Sequence, residues 1–217
     1  MAAVVPDPKK IKSFRNEAAF EAWLAAHHAR ETELWLRIYK TDSGVASVTH
    51  AQAVDVALCW GWIDAIRKPL DDASFLQRFT PRKRKSIWSH LNRERVARLT
   101  AAGRMAPPGQ RAIDAAKADG RWEAAYVPMR QVSPDSMPAD LRAAIAANPR
   151  ALKTFKTLDR QNLFSLVFRT NNMKTAAGRA KKIATLVATL ASGKPIVPAR
   201  VKTPKAAAAR TKTSNSR

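Results

Sequence analysis

Two runs of alternating residues, Trp62 to Arg67 and Ser74 to Thr80, constrain this 217-residue chain more than any other feature. In the second run Phe75, Gln77 and Phe79 alternate with Leu76 and Arg78, the period of a strand with two unlike faces. The link between the runs, Lys68 to Ala73, is short and polar, which predicts an antiparallel hairpin. A third run, Glu33 to Lys40, sets Leu34, Leu36 and Ile38 on one face and Trp35, Arg37 and Tyr39 on the other. Thr41-Asp42-Ser43-Gly44 after it is turn chemistry. A small antiparallel sheet of about three strands is expected.

Helical signals surround these strands. Asn16 caps a helix to about Ala29, with Phe20, Trp23, Leu24 and His27 at helical spacing. Thr49 and Gln52 form a capping-box pair, opening a helix from His50 to about Trp60 with Val54, Ala57 and Leu58 inward. Gly61 stands where a left-handed cap ends it. Pro81 ends the last strand, and Ser86 or Ser89 can cap a helix running to Gly103 with Val96 and Leu99 inward. A short helix from Pro108 to Gly120 follows, after which Trp122 and Tyr126 pack back on the body. Residues 127–138 hold Pro128, Pro134 and Pro138 and read as a linker. Beyond them come helices over roughly 139–147, 149–158 and 161–190, the last broken near Thr170 to Asn172. Asn148-Pro149 is a cap followed by a first-turn proline, and Met173, Ala177, Ala180, Ile183, Val187 and Leu190 make an apolar stripe. The expected fold is α+β: a body over residues 1–126, the linker, a helical module over 139–193, and a disordered cationic tail over 194–217.

Hydrophobic residues at 46% and charged residues at 26% are the mix of a globular protein, but the net charge of +22 is not. Seven of these charges, Lys194, Arg200, Lys202, Lys205, Arg210, Lys212 and Arg217, lie on the tail, which has no acid; removing them from +22 leaves +15 on residues 1–193. Between Arg78 and Arg111 there are ten Lys or Arg against one acid, Glu94, densest at Arg82-Lys83-Arg84-Lys85. Such a balance attracts polyanions, or simply forms a solvated face. Lys83, Arg84, Lys202, Lys205, Arg210 and Lys212 are the candidate nucleic-acid contacts, for weak binding without sequence preference.

Cys59 is the single cysteine, so neither an intrachain disulfide nor a multi-cysteine zinc site can form. Flanked by Leu58 and Trp60, it reads as a buried thiol. His27, His28, His50 and His90 have no metal-ligand spacing, and there is no Gly-rich phosphate loop or Gly-x-Ser-x-Gly elbow. No metal, cofactor or catalytic group is expected. The apolar patch Ala2 to Val5 runs into Pro6-Asp7-Pro8 without a signal-peptide core, and no run of about 18 apolar residues exists, so a cytoplasmic setting without a membrane span is expected.

Gly61-Trp62-Ile63-Asp64, Arg78-Phe79-Thr80-Pro81-Arg82-Lys83, Ser86-Ile87-Trp88-Ser89, Asn92 and Gly103-Arg104-Met105 occur in that order. Downstream stand Ala115-Ala116-Lys117, Gly120, Trp122, Asn148-Pro149, Phe155, Lys174-Thr175 and Arg179. Together they resemble the YdeI/OmpD-associated family, also described as bacteriocin-protection proteins, over residues 13–193; Met173 stands where alanine is more typical. The resemblance implies an accessory role in resistance to bacteriocins and cationic peptides and an association with an outer-membrane porin, and it carries no catalytic residues. A +22 protein repels a cationic peptide, so any such protection is indirect.

The strand–helix junction is the candidate site. Arg78, Arg82 and Lys85 supply cations, Ser86 and Ser89 hydroxyls, and the helix start free N–H groups, a combination suited to phosphate or carboxylate. Asn92 reaches the same space, Asp64 and Arg67 on the neighbouring strand orient the cations, and Trp62 and Trp88 offer stacking walls. The plainer readings are that the serines are caps, the tryptophans core, and Asp64 half of an ion pair. Three functions compete: an accessory protein binding an anionic small molecule or a protein partner, a nucleic-acid-associated protein, and an enzyme with Asp64 as acid/base and Arg82 as electrostatic stabiliser.

Overall fold

The hairpin forms, and the sheet is larger than its pattern alone suggests. The computed structural model describes residues 4–198. Its strands are β1 (Ile11–Lys12), β2 (Leu34–Tyr39), β3 (Trp62–Pro69) and β4 (Ser74–Pro81), in the order β1-β2-β4-β3. β4 pairs antiparallel with β3 and with β2, while β1 adds a parallel edge, Ile11 opposite Trp35. The expected three antiparallel strands thus become four, one parallel. Two residues are too few to show a period, which is why β1 leaves no signal.

The helices are α1 (Glu17–His27), α2 (His50–Cys59), α3 (His90–Ala101), α4 (Pro107–Ala118), α5 (Ala139–Ala146), α6 (Pro149–Phe155), α7 (Arg160–Asn171) and α8 (Ala176–Ala191). The molecule is therefore α+β. The caps read from sequence are in place. Asn16 accepts from Ala19 N, Thr49 and Gln52 close the capping box, Ser89 rather than Ser86 caps α3, and Asn148 caps α6. Contacts divide the chain into two compact units after Gln131.

In the first unit one face of the sheet, with Leu34, Leu36, Ile38, Trp62 and Phe79, packs against Phe20 and Leu24 of α1, Val54 and Leu58 of α2, Val96 and Leu99 of α3 and Ile113 of α4. Trp35 and Leu76, on the other face, are also buried. The tightest joint is where α4 meets the end of α2. A Cβ on Gly109 would lie 2.1 Å from the Cys59 carbonyl oxygen, and one on Gly61 (φ +72°) would lie 2.8 Å from that of Pro108. Only glycine permits so close a backbone approach.

The second unit is helical. Leu141, Ile145, Leu166, Ile183, Leu186 and Leu190 are buried in it. The stripe expected from Met173 is corrected: α8 begins only at Ala176 and buries Ile183, Leu186 and Leu190, while Ala177 and Ala180 are exposed. The proline-rich stretch contains two 3-10 turns, Met129–Gln131 and Pro134–Ser136, with Val132 and Met137 buried. The expected tail also starts too early. Ile196 is buried, and Val197 N donates to Asn162 Oδ1 at 2.8 Å, so residues 194–198 are anchored to α7. Arg200, Lys202, Lys205, Arg210, Lys212 and Arg217 lie outside the described residues.

Candidate anion site at the hairpin–helix junction

Arg82 is the centre of the junction. Its backbone N donates to Gly61 O at 2.9 Å, fixing the strand end to the turn that closes α2. Its guanidinium lies flat on the Trp88 indole, with Cζ 3.5 Å from the ring centroid, and Nη1 donates to Ile87 O at 3.2 Å. Nε and Nη2 are out of water and have no hydrogen-bond acceptor among the described residues; the same is true of Trp88 Nε1. Three donor nitrogens on two touching side chains are therefore unmet. Buried donors are nearly always paired, and leaving one unpaired costs about 1–3 kcal/mol, more when it is charged. Burial pushes the Arg82 pKa down to about 10, opposed by Asp64, so the group stays cationic at neutral pH.

Asp64, Tyr126 and Arg121 act on Arg82, and Tyr126 in turn holds Ser89. Asp64 acts on Arg82 through space, and its close contact is His50 Nε2, 3.7 Å from Oδ2. Tyr126 is brought in from far along the chain: its N donates to Trp88 O at 2.9 Å, its O accepts from His90 N, and its hydroxyl hydrogen bonds Ser89. Burial, then the nearby Asp64, raise its pKa. Sequence placed Tyr126 against the body but not in the site, and it did not single out His50. Both arrive by tertiary contact, and no local pattern marks them.

Four sequence-based assignments are corrected. Trp62 and Trp88, each 1% exposed, belong to the core and offer no stacking wall; the Trp88 face is taken by Arg82. Arg78 is committed to Glu33, which takes both its Nε and Nη2. Arg67 stacks on Phe75 at 4.1 Å and bonds Gln77, beyond an irregularity in the hairpin register. Strand alternation sets Arg78 on the face opposite Asp64, and Arg67 stands further along the hairpin, opposite Gln77 where Asp64 is opposite Phe79. Ser86 accepts from Lys83 N and so closes the loop rather than the helix. Ser89 caps α3 by accepting from Asn92 N. Lys83, Arg84 and Lys85 are exposed on that loop.

Two cavities lie elsewhere: about 690 Å³ between α5 and α8, and about 500 Å³ beside Trp122. Among the described residues no three His, Cys, Asp or Glu gather as a metal cluster, and no helix is long and apolar enough to cross a membrane. Cys59 is buried, which pushes its thiol pKa up to about 11.

Fold and site thus define an α+β protein whose first unit holds an under-satisfied cation and whose second unit is a helical module. Residues 136–193, that module, match the family described as "Bacteriocin-protection, YdeI or OmpD-Associated", and the resemblance read from sequence holds there. Residues 12–112 match a "Domain of unknown function (DUF8412)". The motif stretch Trp60 to Met105 falls inside that match, so the family assignment rests on the C-terminal module. No curated protein and no solved structure matches the chain.

Proposed function

We propose that this is a non-enzymatic accessory protein that binds a small carboxylate- or phosphate-bearing molecule at Arg82, and that it serves bacteriocin or cationic-peptide resistance indirectly. The observation that carries the reading is the unmet fork of Arg82. Nε and Nη2 are the parallel pair of donors that a carboxylate or phosphate accepts bidentately. A cation without a direct counter-ion, held against an indole, is costly to maintain unless an anion completes it. The exposed loop Lys83–Lys85 follows Arg82 directly in the chain and is the route of entry in this proposal. A binding role also suits the chain's strongest nucleophile, Cys59, being buried and protonated at neutral pH.

The test is a thermal-shift series with sulfate, phosphate, nucleotides and phosphosugars on the full chain. A bound anion at 100 times its Kd stabilises the native state by about 2.7 kcal/mol. The expected result is a saturable shift that disappears in Arg82→Met and survives in Arg67→Gln. A folded Arg82→Met protein that shifts like the parent would end the proposal.

A further inference from the structure

A second site lies on the first unit, beside Trp122. A groove of about 500 Å³ is lined by His90, Arg93, Glu94, Ala97 and Trp122, within the size range of small-ligand clefts. The Trp122 ring is braced edge-on by the buried Trp88, centroids 4.9 Å apart. Two cations stand over the ring, but not in the close contact that Arg82 makes with Trp88: Arg93 with Cζ 5.4 Å, and Lys117 with Nζ 5.6 Å, from the ring centroid, against 3.5 Å there. The cationic loop adjoins this surface, because Arg121 reaches from the chain segment of Trp122 to donate to Ser86 O at 2.8 Å, and Arg84 acts electrostatically on Asp119. Segments 83–94 and 117–123, which supply this surface, carry Lys83, Arg84, Lys85, Arg93, Lys117 and Arg121 against three acids, Glu94, Asp119 and Glu123, of which Asp119 is taken by Arg121.

We propose that this groove binds single-stranded nucleic acid without sequence preference, one base packing against Trp122 while the backbone follows Arg93, Lys117 and the Lys83–Lys85 loop. An anchored aromatic ring amid cations is the arrangement that such binding uses: the ring takes the π-face common to every base, and the cations track phosphate. A single-stranded chain can turn a base into the groove, whereas a duplex keeps its bases stacked and would meet only the charges. The site is separate from the Arg82 fork. It uses an open surface and a repeating anion, where the fork would take one small anion.

The experiment is fluorescence anisotropy with a labelled oligothymidylate of about 12 nucleotides, inside the span covered by known single-strand sites, on the full chain over a range of salt. Binding is expected to quench tryptophan fluorescence and to weaken steeply with salt. Trp122→Ala should lower affinity about 10-fold, as loss of one stacked base does, and Trp122→Phe should restore most of it. Arg93→Gln with Lys117→Gln, two partly exposed changes that spare the core, should flatten the slope of log affinity against log salt by about 1.4, about 0.7 for each phosphate no longer neutralised. Arg67→Gln, at a residue that belongs to neither site, should bind the oligonucleotide like the parent, and Trp122→Ala should keep the thermal shift given by sulfate or phosphate, so this proposal can fail or stand apart from that of the fork. The inference is overturned if Trp122→Ala and the double variant bind like the parent. It is also overturned if neutralising Lys202, Lys205, Arg210 and Lys212 removes all binding, or if a duplex of equal length binds as tightly at every salt concentration.

Discussion

The junction after β4 and the groove of the helical module each hold one prominent arginine, and the two are treated in opposite ways. Arg179, on α8, is closed by its own chain: Nε and Nη2 grip the two oxygens of Asp140 at 2.6 and 2.9 Å, and Nη1 donates to Thr170 O at 3.0 Å. Its pKa is raised by the Asp140 hydrogen bond, and that of Asp140 is lowered in return. Arg82 has the same fork, but no carboxylate in contact with it and a pKa pushed down by burial. A guanidinium paired within its own chain is structural, whereas the one left with unmet donors is the one that the proposed function assigns to a ligand. The apolar groove beside Arg179 is larger than the one beside Trp122, yet its anion is already supplied.

The largest expected effect comes from breaking the frame that holds the junction. Gly109→Ala sets a methyl 2.1 Å from the Cys59 carbonyl, and the backbone must yield. The first unit should lose about 3 kcal/mol, read in a denaturant melt through the Trp62 and Trp88 fluorescence. A wild-type midpoint would show that α4 does not brace Gly61 and Arg82.

Arg82→Met sharpens the contrast directly. Replacing a half-buried cation, whose Nε and Nη2 are out of water and unpaired, by an apolar side chain of similar length should leave stability unchanged or raise it by about 1 kcal/mol. The gain belongs to pH values at which Arg82 is charged. Its folded pKa, about 10, lies below that of the unfolded chain, so the burial cost acts at neutral pH and fades as pH climbs past 10. A clear loss of stability at pH 7 would mean that Arg82 is as structural as Arg179. In the other arm, Asp140→Ala removes a partly exposed pair and should cost under about 1 kcal/mol, while giving α8 a cation that now responds to added phosphate in a thermal-shift assay. Absence of that response would sever the link between an open fork and anion binding.

The smallest effect concerns Cys59. Its thiol pKa is raised from 9.0 to about 11, so the stability that comes from keeping it protonated is complete below pH 9 and is lost as pH rises through 11. At pH 8 a thiol reagent should modify it only at the rate of global unfolding. Fast labelling of the folded protein would place Cys59 outside the core that frames the junction.

Much of this architecture was legible because its signals are local. The hairpin, the Thr49–Gln52 box, the Asn16 and Asn148 caps and the turn at Gly61 each lie within a few residues of sequence, where steric and hydrogen-bonding rules act without help. The candidate site was legible only in part. Arg82, Ser89 and Asp64 were picked out by residue type, but the same reasoning included Arg67 and Arg78, and it could not see Tyr126 or His50 arriving from a distance.

By itself, then, the sequence determined the α+β class, the helix ends, the excess of positive charge and the helical module that its family match covers. Tertiary structure decided which arginines are satisfied. Glu33, 45 positions before Arg78, closes one; Asp140, 39 before Arg179, closes another; no such carboxylate contacts the fork of Arg82 among the described residues. The physical reason is that a cation's role depends on what stands within about 3 Å of its N–H groups, and in a folded chain that neighbour comes from packing rather than from adjacent sequence.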